Sequence, residues 1–288
     1  MGIIVCSIVF IASLSAPDAF FSRYDNQTHL NVAQSFIDSG KWSSLHAGRY
    51  LDSLPNQTPY DTASGFYPAT WHAIIALICL VTGTKVTIAS NALLAVLAAI
   101  VFPAGMFIII RTLFSGQRGV VIAGAFACVS FSTYPWFFPI KGPTLPQMLA
   151  FALMVAFIGL LICYLEQGRV KQKLGGFVVF GLVSFISLAI AHTNALFTAF
   201  VFLAAYGGHY LYRAIGESGA TDPQKVTRTR IIAMAIYLAL IIAFWAFCLT
   251  TPILHGVVGY DHYENYTVRR ALSGLVPMRF GISSVQLA

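Results

Sequence analysis

The stretch VTIASNALLAVLAAIVFPAGMFIII, residues 86–110, decides the fold because it contains no charged side chain. A bilayer core about 30 Å thick is crossed by roughly 20 apolar residues in a helix, and this stretch is longer than that. Backbone groups in lipid must be paired within their own segment, which favours a helix. The stretch therefore predicts a membrane-spanning helix, which Pro103 and Gly105 are expected to kink rather than end.

The rest of the chain repeats this pattern. Of its 288 residues, 58% are apolar and only 9% are charged, whereas soluble domains carry about 25% charged residues. We predict an all-α, polytopic membrane protein with about seven or eight membrane helices in a lipid bilayer. Besides 86–110, the apolar runs cover residues 1–15, 67–83, 119–138, 146–165, 175–191, 194–212 and 231–251.

The polar segments divide the chain into a helical membrane domain, residues 1–251, and a polar tail, residues 252–288. A long polar loop, residues 16–66, interrupts the membrane domain after the first run. Basic residues concentrate in three short loops, which should therefore be cytoplasmic: 111–118, 166–174 and 213–230. Counting the runs after them puts the tail on the extracytoplasmic side, and a first span with its N-terminus inside puts the long loop on that side as well.

The net charge of +7 also comes from basic residues in short loops. The 17 basic residues are spread over short loops and form no single patch. They are expected to determine topology, and nucleic acid is not an expected partner.

The run 67–83 creates a parity problem for this topology. If both 67–83 and 86–110 crossed the membrane, Arg111 would lie outside. We therefore expect 67–83 to form a re-entrant or interfacial helix on the outer side.

The first run resembles a signal peptide in length, and small residues follow it at Ser13–Ala16. It has no positively charged residue before its apolar part. We expect an uncleaved first span.

The cysteines fall inside apolar runs without CxxC spacing. They are expected to be small buried hydrophobic residues, so the pattern supports neither a disulfide framework nor a metal site. They are Cys6, Cys79, Cys128, Cys163 and Cys248.

All ten acidic residues lie outside the apolar runs. A chain without a carboxylate in mid-membrane does not fit an ion-coupled transporter. The sequence also contains no Walker loop, HExxH or GxSxG pattern, so ATP-driven transport and several hydrolase classes lack support.

The densest polar cluster is RYDNQTHL, residues 23–30, just after the first span. On a helix, Asp25 and His29 would be at i and i+4 and project from the same side. The alternative is a solvated loop, or an Asp cap on a short amphipathic helix that ends at Gly40.

Four further side chains are candidates on the outer face. His72, in FYPATWH, needs a polar partner at the membrane interface, although the neighbouring aromatic residues need no function there. His192 and Asn194, in AHTN, could contact a phosphate or a sugar hydroxyl, or simply form a turn. Lys141, in a proline-rich loop, could bind a phosphate as a point charge or be merely solvated.

Taken together, these segments resemble the C-type glycosyltransferase (GT-C) superfamily, closest to a group of actinobacterial multi-spanning proteins. The segments that carry the resemblance are short and cover most of the chain: RYDNQTHL, FIDSGKW, YPATWHAIIAL, IIIRTLF and AHTNALF.

The resemblance implies a GT-C-like fold whose first extracytoplasmic loop carries an acidic catalytic residue, which Asp25 matches by position. It implies a multi-pass enzyme of the cell membrane that transfers a sugar from a polyprenyl-phosphate donor to a cell-envelope glycan or lipid acceptor. His29, His72 and His192 match polar positions near such a site. Lys141 and Asn194 are further candidate substrate contacts, and a divalent metal could bridge Asp25 and the phosphate.

Two departures from the family pattern favour an alternative. Asn26 follows Asp25, so the usual paired acid is missing, and the chain stops soon after the last run. The chain could be a fragment or a member without activity. The alternative function is a non-catalytic membrane transporter or scaffold in envelope assembly.

Overall fold

The computed structural model describes residues 1–20, 26–45, 67–138, 144–167, 174–217 and 222–250. Nine α-helices account for most of this described part: α1 Gly2–Val9, α2 Asn26–Ser39, α3 Thr70–Thr82, α4 Val86–Leu113, α5 Arg118–Ala127, α6 Leu145–Glu166, α7 Leu174–Ala191, α8 Thr193–Gly216 and α9 Pro223–Thr250.

Within these ranges, four helices are long and apolar enough to cross a membrane: α4, α6, α8 and α9. The protein is therefore a helical membrane protein, as the sequence predicts, and the lipid bilayer is its surroundings. The helices α1, α3, α5 and α7 are shorter and apolar. The count of seven or eight membrane helices stays a prediction.

Helix α3 occupies most of the predicted run 67–83 but has only 13 residues. At 1.5 Å per residue it is about 20 Å long, which is less than the apolar core of a bilayer. It ends at Thr82, and the left-handed backbone of the following Gly83 (φ 69°) lets its amide donate to the carbonyl of Cys79. A re-entrant or interfacial position for α3 stays a prediction, and its length fits that position.

Helix α4 continues past Pro103, so the prediction that this proline does not end the helix is confirmed. A π-helical turn, Leu97–Val101, precedes the proline. Pro103 has no amide hydrogen to donate to Ala99, and the wider turn accommodates that missing bond. Gly2 of α1 packs here, because a Cβ on Gly2 would overlap the carbonyl oxygen of Ala99.

Helices α4 and α6 approach each other through glycines. A Cβ on Gly105 would lie 2.8 Å from the amide nitrogen of Ala156, and a Cβ on Gly159 would lie 3.0 Å from the carbonyl oxygen of Gly105. Small residues allow membrane helices to pack backbone to backbone, where dispersion contacts are densest. Helices α4 and α6 are therefore in close backbone contact within the first part of the chain.

The predicted run 119–138 is not a single helix. Helix α5 ends at Ala127, and a short π-helical segment, Ser132–Phe137, contains the cis peptide Tyr134–Pro135 and an extended backbone at Tyr134. Trp136 is buried and donates from its indole nitrogen to the carbonyl of Val129, at 2.8 Å. Pro135 has no amide hydrogen to donate to Phe131 and disfavours a helical backbone at Tyr134, so this segment departs from regular helix where the proline predicts a non-helical loop.

The start of the long polar loop is fixed to the beginning of α4. The amide nitrogen of the Asn91 side chain donates to the carbonyls of Pro17 and Ala19, at 2.9 and 2.7 Å. Lys85 pairs with Asp18 at 2.8 Å, and the lysine lowers the pKa of the aspartate. Residues 17–19 are therefore held against the start of α4.

The chain forms two compact units, one including Met1–Ala195 and the other beginning at Leu196. In the second unit, α8 and α9 pair through stacked Phe200 and Phe244 rings, 4.0 Å apart, and through a bond from the Tyr237 hydroxyl to the carbonyl of Ala204. The predicted membrane domain, residues 1–251, includes parts of both units. The candidate site lies in the first.

Candidate functional site

Helix α2 supplies the first histidine of the site. Its apolar residues Leu30, Val32, Ala33 and Phe36 are buried, as the amphipathic pattern predicts. The helix ends at Ser39, and Gly40 follows with φ 67°, so the predicted end at Gly40 is confirmed. The buried face turns the helix toward α3.

His29 of α2 meets His72 of α3 directly. The Nδ1 atom of His29 lies 3.0 Å from the Nε2 atom of His72, although 43 positions separate the two residues in the chain. Their exposed fractions are 2% and 0%. The two predicted substrate contacts His29 and His72 therefore form one buried imidazole pair.

Aromatic rings enclose this pair. Around His72, the ring centroids of Trp71, Tyr67 and Phe36 lie at 5.4, 5.7 and 6.2 Å. The rings of Trp71 and Tyr67 each meet the ring of His72 in an edge-to-face arrangement, which aromatic quadrupoles favour. The enclosure excludes water and fixes the ring planes of both histidines.

The enclosure also controls the charge of His72, which sits near the start of the short helix α3. Burial lowers the pKa of His72 well below its ordinary 6.5, and the neighbouring His29 lowers it further. The carbonyl of Ala69, one turn earlier, acts weakly in the opposite direction. At neutral pH, His72 is therefore an uncharged imidazole that can donate one hydrogen bond and accept another.

This lowered pKa predicts that the protein loses stability in acid. The unfolded chain binds a proton at His72 near pH 6.5, whereas the folded chain binds it only at lower pH. The stability that depends on neutral His72 is complete above about pH 6.5 and is lost as the pH falls through the folded-state pKa. Melting temperatures of the detergent-solubilised protein between pH 7.5 and pH 5 should fall more steeply for the wild type than for His72→Gln. Parallel curves would contradict the prediction.

His192 and Asn194 lie where α7 meets α8. The backbone amide of Asn194 donates to Nδ1 of His192 at 3.3 Å, so the imidazole has a local role at this turn. The end of α7 also contacts the start of α3, because the Thr70 hydroxyl donates to the carbonyl of Ile190 at 2.9 Å. Thr70 and Ile190 each stand two residues before a predicted site histidine. The structure thus brings the end of α7 and the start of α3 together.

The predicted catalytic residue Asp25 and the predicted contact Lys141 lie outside the described residues. Asp25 is the residue immediately before Asn26, the first residue of α2. In the described part of the chain, no three His, Cys, Asp or Glu side chains converge on a point that could hold a metal ion. All five cysteines are free; Cys163 is partly exposed and the other four are buried, in line with their predicted role as small hydrophobic residues.

Sequence reasoning missed Trp71. Its position beside a membrane boundary predicts an interfacial anchor, but its ring is fully buried next to His72. Its indole nitrogen has no hydrogen-bond partner within the described residues. Hydropathy alone does not show that the adjacent residues Trp71 and His72 at the start of α3 are both buried.

Comparison with known proteins assigns the chain to a family. A model described as a family of unknown function, DUF6541, matches residues 1–288. No curated protein and no solved structure matches the chain. Because the match covers the whole sequence, the chain belongs to the DUF6541 family.

Proposed function

We propose that this protein is a GT-C-type membrane glycosyltransferase of the cell membrane. It transfers a sugar from a polyprenyl-phosphate donor to a cell-envelope glycan or lipid acceptor. The proposal includes a GT-C-like arrangement of about seven or eight membrane helices.

The observation that carries the proposal is the buried contact between His29 and His72 at 3.0 Å. Two polar rings enclosed in aromatic and apolar side chains are costly unless their hydrogen bonds are used. His29 also stands four residues after Asp25, the carboxylate that the sequence pattern singles out.

The chemistry assigns one role to each group. Asp25 takes the proton from the acceptor hydroxyl as the acceptor oxygen attacks the anomeric carbon of the sugar. The bond between that carbon and the phosphate oxygen breaks, and the carrier phosphate leaves with the electron pair. His29 and His72 hold the donor by hydrogen bonds, and His192, Asn194 and Lys141 are further donor or acceptor contacts. Asp25 is the residue that would hold a divalent ion, which would supply positive charge to stabilise the leaving phosphate.

The test is a transfer assay in membranes that contain the full chain, with a panel of radiolabelled polyprenyl-phosphate sugars. His29→Leu and His72→Leu should each lower transfer about tenfold or more, because each leaves its partner buried without a bond. The double variant should be scarcely worse than either single one, since the two rings act as a unit.

The matched control is His209→Leu, which removes an exposed histidine on α8. It should leave transfer unchanged. Full activity in both single pair variants, or no transfer by the wild type with any donor, would remove the proposal.

A further inference from the structure

Helix α9 meets α8 through one of its faces. Arg230 donates from Nε to the carbonyl of Tyr212 at 3.2 Å, and its guanidinium carbon lies 4.2 Å from the centre of the Tyr212 ring. Farther along, the Tyr237 hydroxyl donates to the carbonyl of Ala204 at 2.7 Å. Arg230 and Tyr237 are separated by about two helical turns, so both project from the face of α9 that packs on α8.

The opposite face of α9 begins with two cations. Lys225 and Arg228 are three residues apart, so they project from the same side of the helix. At about 100° per residue, they lie about 140° and 160° around the helix from Arg230. Both side chains are exposed, and neither has a hydrogen bond or ion pair with another side chain in the part of the chain that the structure describes.

The other charges at this end of the helix pair are already engaged. Nε of Arg213 lies 3.6 Å from a carboxylate oxygen of Glu217. The carboxylate of Asp222 accepts from the backbone amide of Gln224 at 2.9 Å and so caps the start of α9. The connecting residues 218–221 have no charged side chain in the sequence. The positive charges of Lys225 and Arg228 are therefore directed outward and not used to hold α8 and α9 together.

The same face of α9 becomes apolar after Arg228. Ile232 and Ile236 follow Lys225 by about two and three helical turns, which keeps them on its side of the helix. Their exposed fractions are 51% and 57%. At 1.5 Å per residue, the helix rises about 12 Å from Arg228 to Ile236, which is less than half of the roughly 30 Å bilayer core. The face therefore matches an amphiphile with an anionic head and a hydrocarbon chain in one leaflet.

We propose that this face of α9 binds an anionic phospholipid. Its phosphate contacts Lys225 and Arg228, and its acyl chain lies along Ile232 and Ile236. Charge complementarity selects this occupant, because basic side chains near the membrane surface attract anionic lipids. The planar guanidinium of arginine can donate two bonds to one phosphate, and lysine adds a point charge. The site lies on α9 and goes beyond the proposed reaction, on which it does not depend.

The test is photo-crosslinking of the full chain in phosphatidylcholine nanodiscs. The nanodiscs carry a small fraction of a lipid with a photoactivatable group on its acyl chain, either phosphatidylglycerol or phosphatidylcholine. Mass spectrometry of the digested protein measures the labelling of the peptide that contains Ile232 and Ile236. In the wild type, phosphatidylglycerol should label this peptide about fivefold more than phosphatidylcholine, since only the former carries a net negative charge.

Lys225→Gln and Arg228→Gln should each lower the labelling by phosphatidylglycerol about fivefold, the effect of one basic residue near an anionic lipid surface. Arg228→Lys keeps the charge and should retain most of the labelling. Lys85→Gln is the matched control, because it removes a positive charge that is already paired with Asp18 at 2.8 Å. It should be labelled like the wild type.

Equal labelling by the two lipids in the wild type would overturn the site. So would labelling by phosphatidylglycerol that is unchanged in both glutamine variants. An equal loss in Arg228→Lys and Arg228→Gln would overturn charge as the cause of binding. Soluble glycerol phosphate that abolishes the labelling at the concentration of the lipid would overturn a lipid as the occupant.

Discussion

Asp25→Asn is expected to reduce sugar transfer at least about a hundredfold while the protein still reaches the membrane. General base catalysis contributes about 10²–10⁴ to the rate, and an amide cannot accept the proton of the acceptor hydroxyl. The substitution keeps the size of the side chain and lies before the first residue of α2. The measurement is the initial rate of transfer per unit of full-length protein in membranes.

Asp38→Asn provides the control for loss of a carboxylate. Asp38 is near the other end of α2, where it accepts a bond from the Gln34 side chain in an exposed position. Its replacement should leave the rate unchanged. An Asp25→Asn variant with wild-type activity would remove the general base from the mechanism, and the non-catalytic transporter or scaffold would then be the better explanation.

Gly105→Leu is expected to destabilise the helical core by about 3 kcal/mol, the upper range for overpacking. Even a Cβ at this position would lie 2.8 Å from a backbone nitrogen of α6, which cannot rotate away as a side chain can. The two helices must therefore separate and lose their close backbone packing. The measurement is the yield and melting temperature of the solubilised protein by size-exclusion chromatography after heating.

Gly181→Leu is the matched control on α7. A Cβ there would meet no atom within 4 Å, and leucine has a higher helix propensity than glycine by up to about 1 kcal/mol. Its melting temperature should equal or exceed that of the wild type. Equal stability of Gly105→Leu and the wild type would mean that α4 and α6 do not pack through Gly105.

The helical elements were largely predictable from residue type. Long uncharged runs such as 86–110 are expected to be helical in lipid, because backbone groups there must be hydrogen-bonded within their own segment. The end of α2 at Gly40 was predictable as well, since glycine adopts a positive φ without steric cost. Hydropathy alone treats 119–138 as one apolar run, whereas Pro135 predicts a departure from regular helix near its end, and the backbone at Tyr134 is extended there.

The sequence predicted which residues could belong to the candidate site, but not how they are arranged. Sequence periodicity places His29 on the helix that buries Phe36, and the pattern around Trp71 marks a membrane boundary. The sequence pattern cannot show that His29 and His72 are in contact, because helix periodicity relates only residues close in sequence and these two are 43 positions apart. Trp71 was assigned to the interface for the same reason.

Composition and hydropathy by themselves determined that this chain is a bundle of membrane helices, since the cost of exposing backbone or charge to lipid is a local property of each segment. Only the tertiary structure decided that two imidazoles share a dry aromatic enclosure. That decision depends on how α2 packs against α3, which is set by the shapes of both helices together.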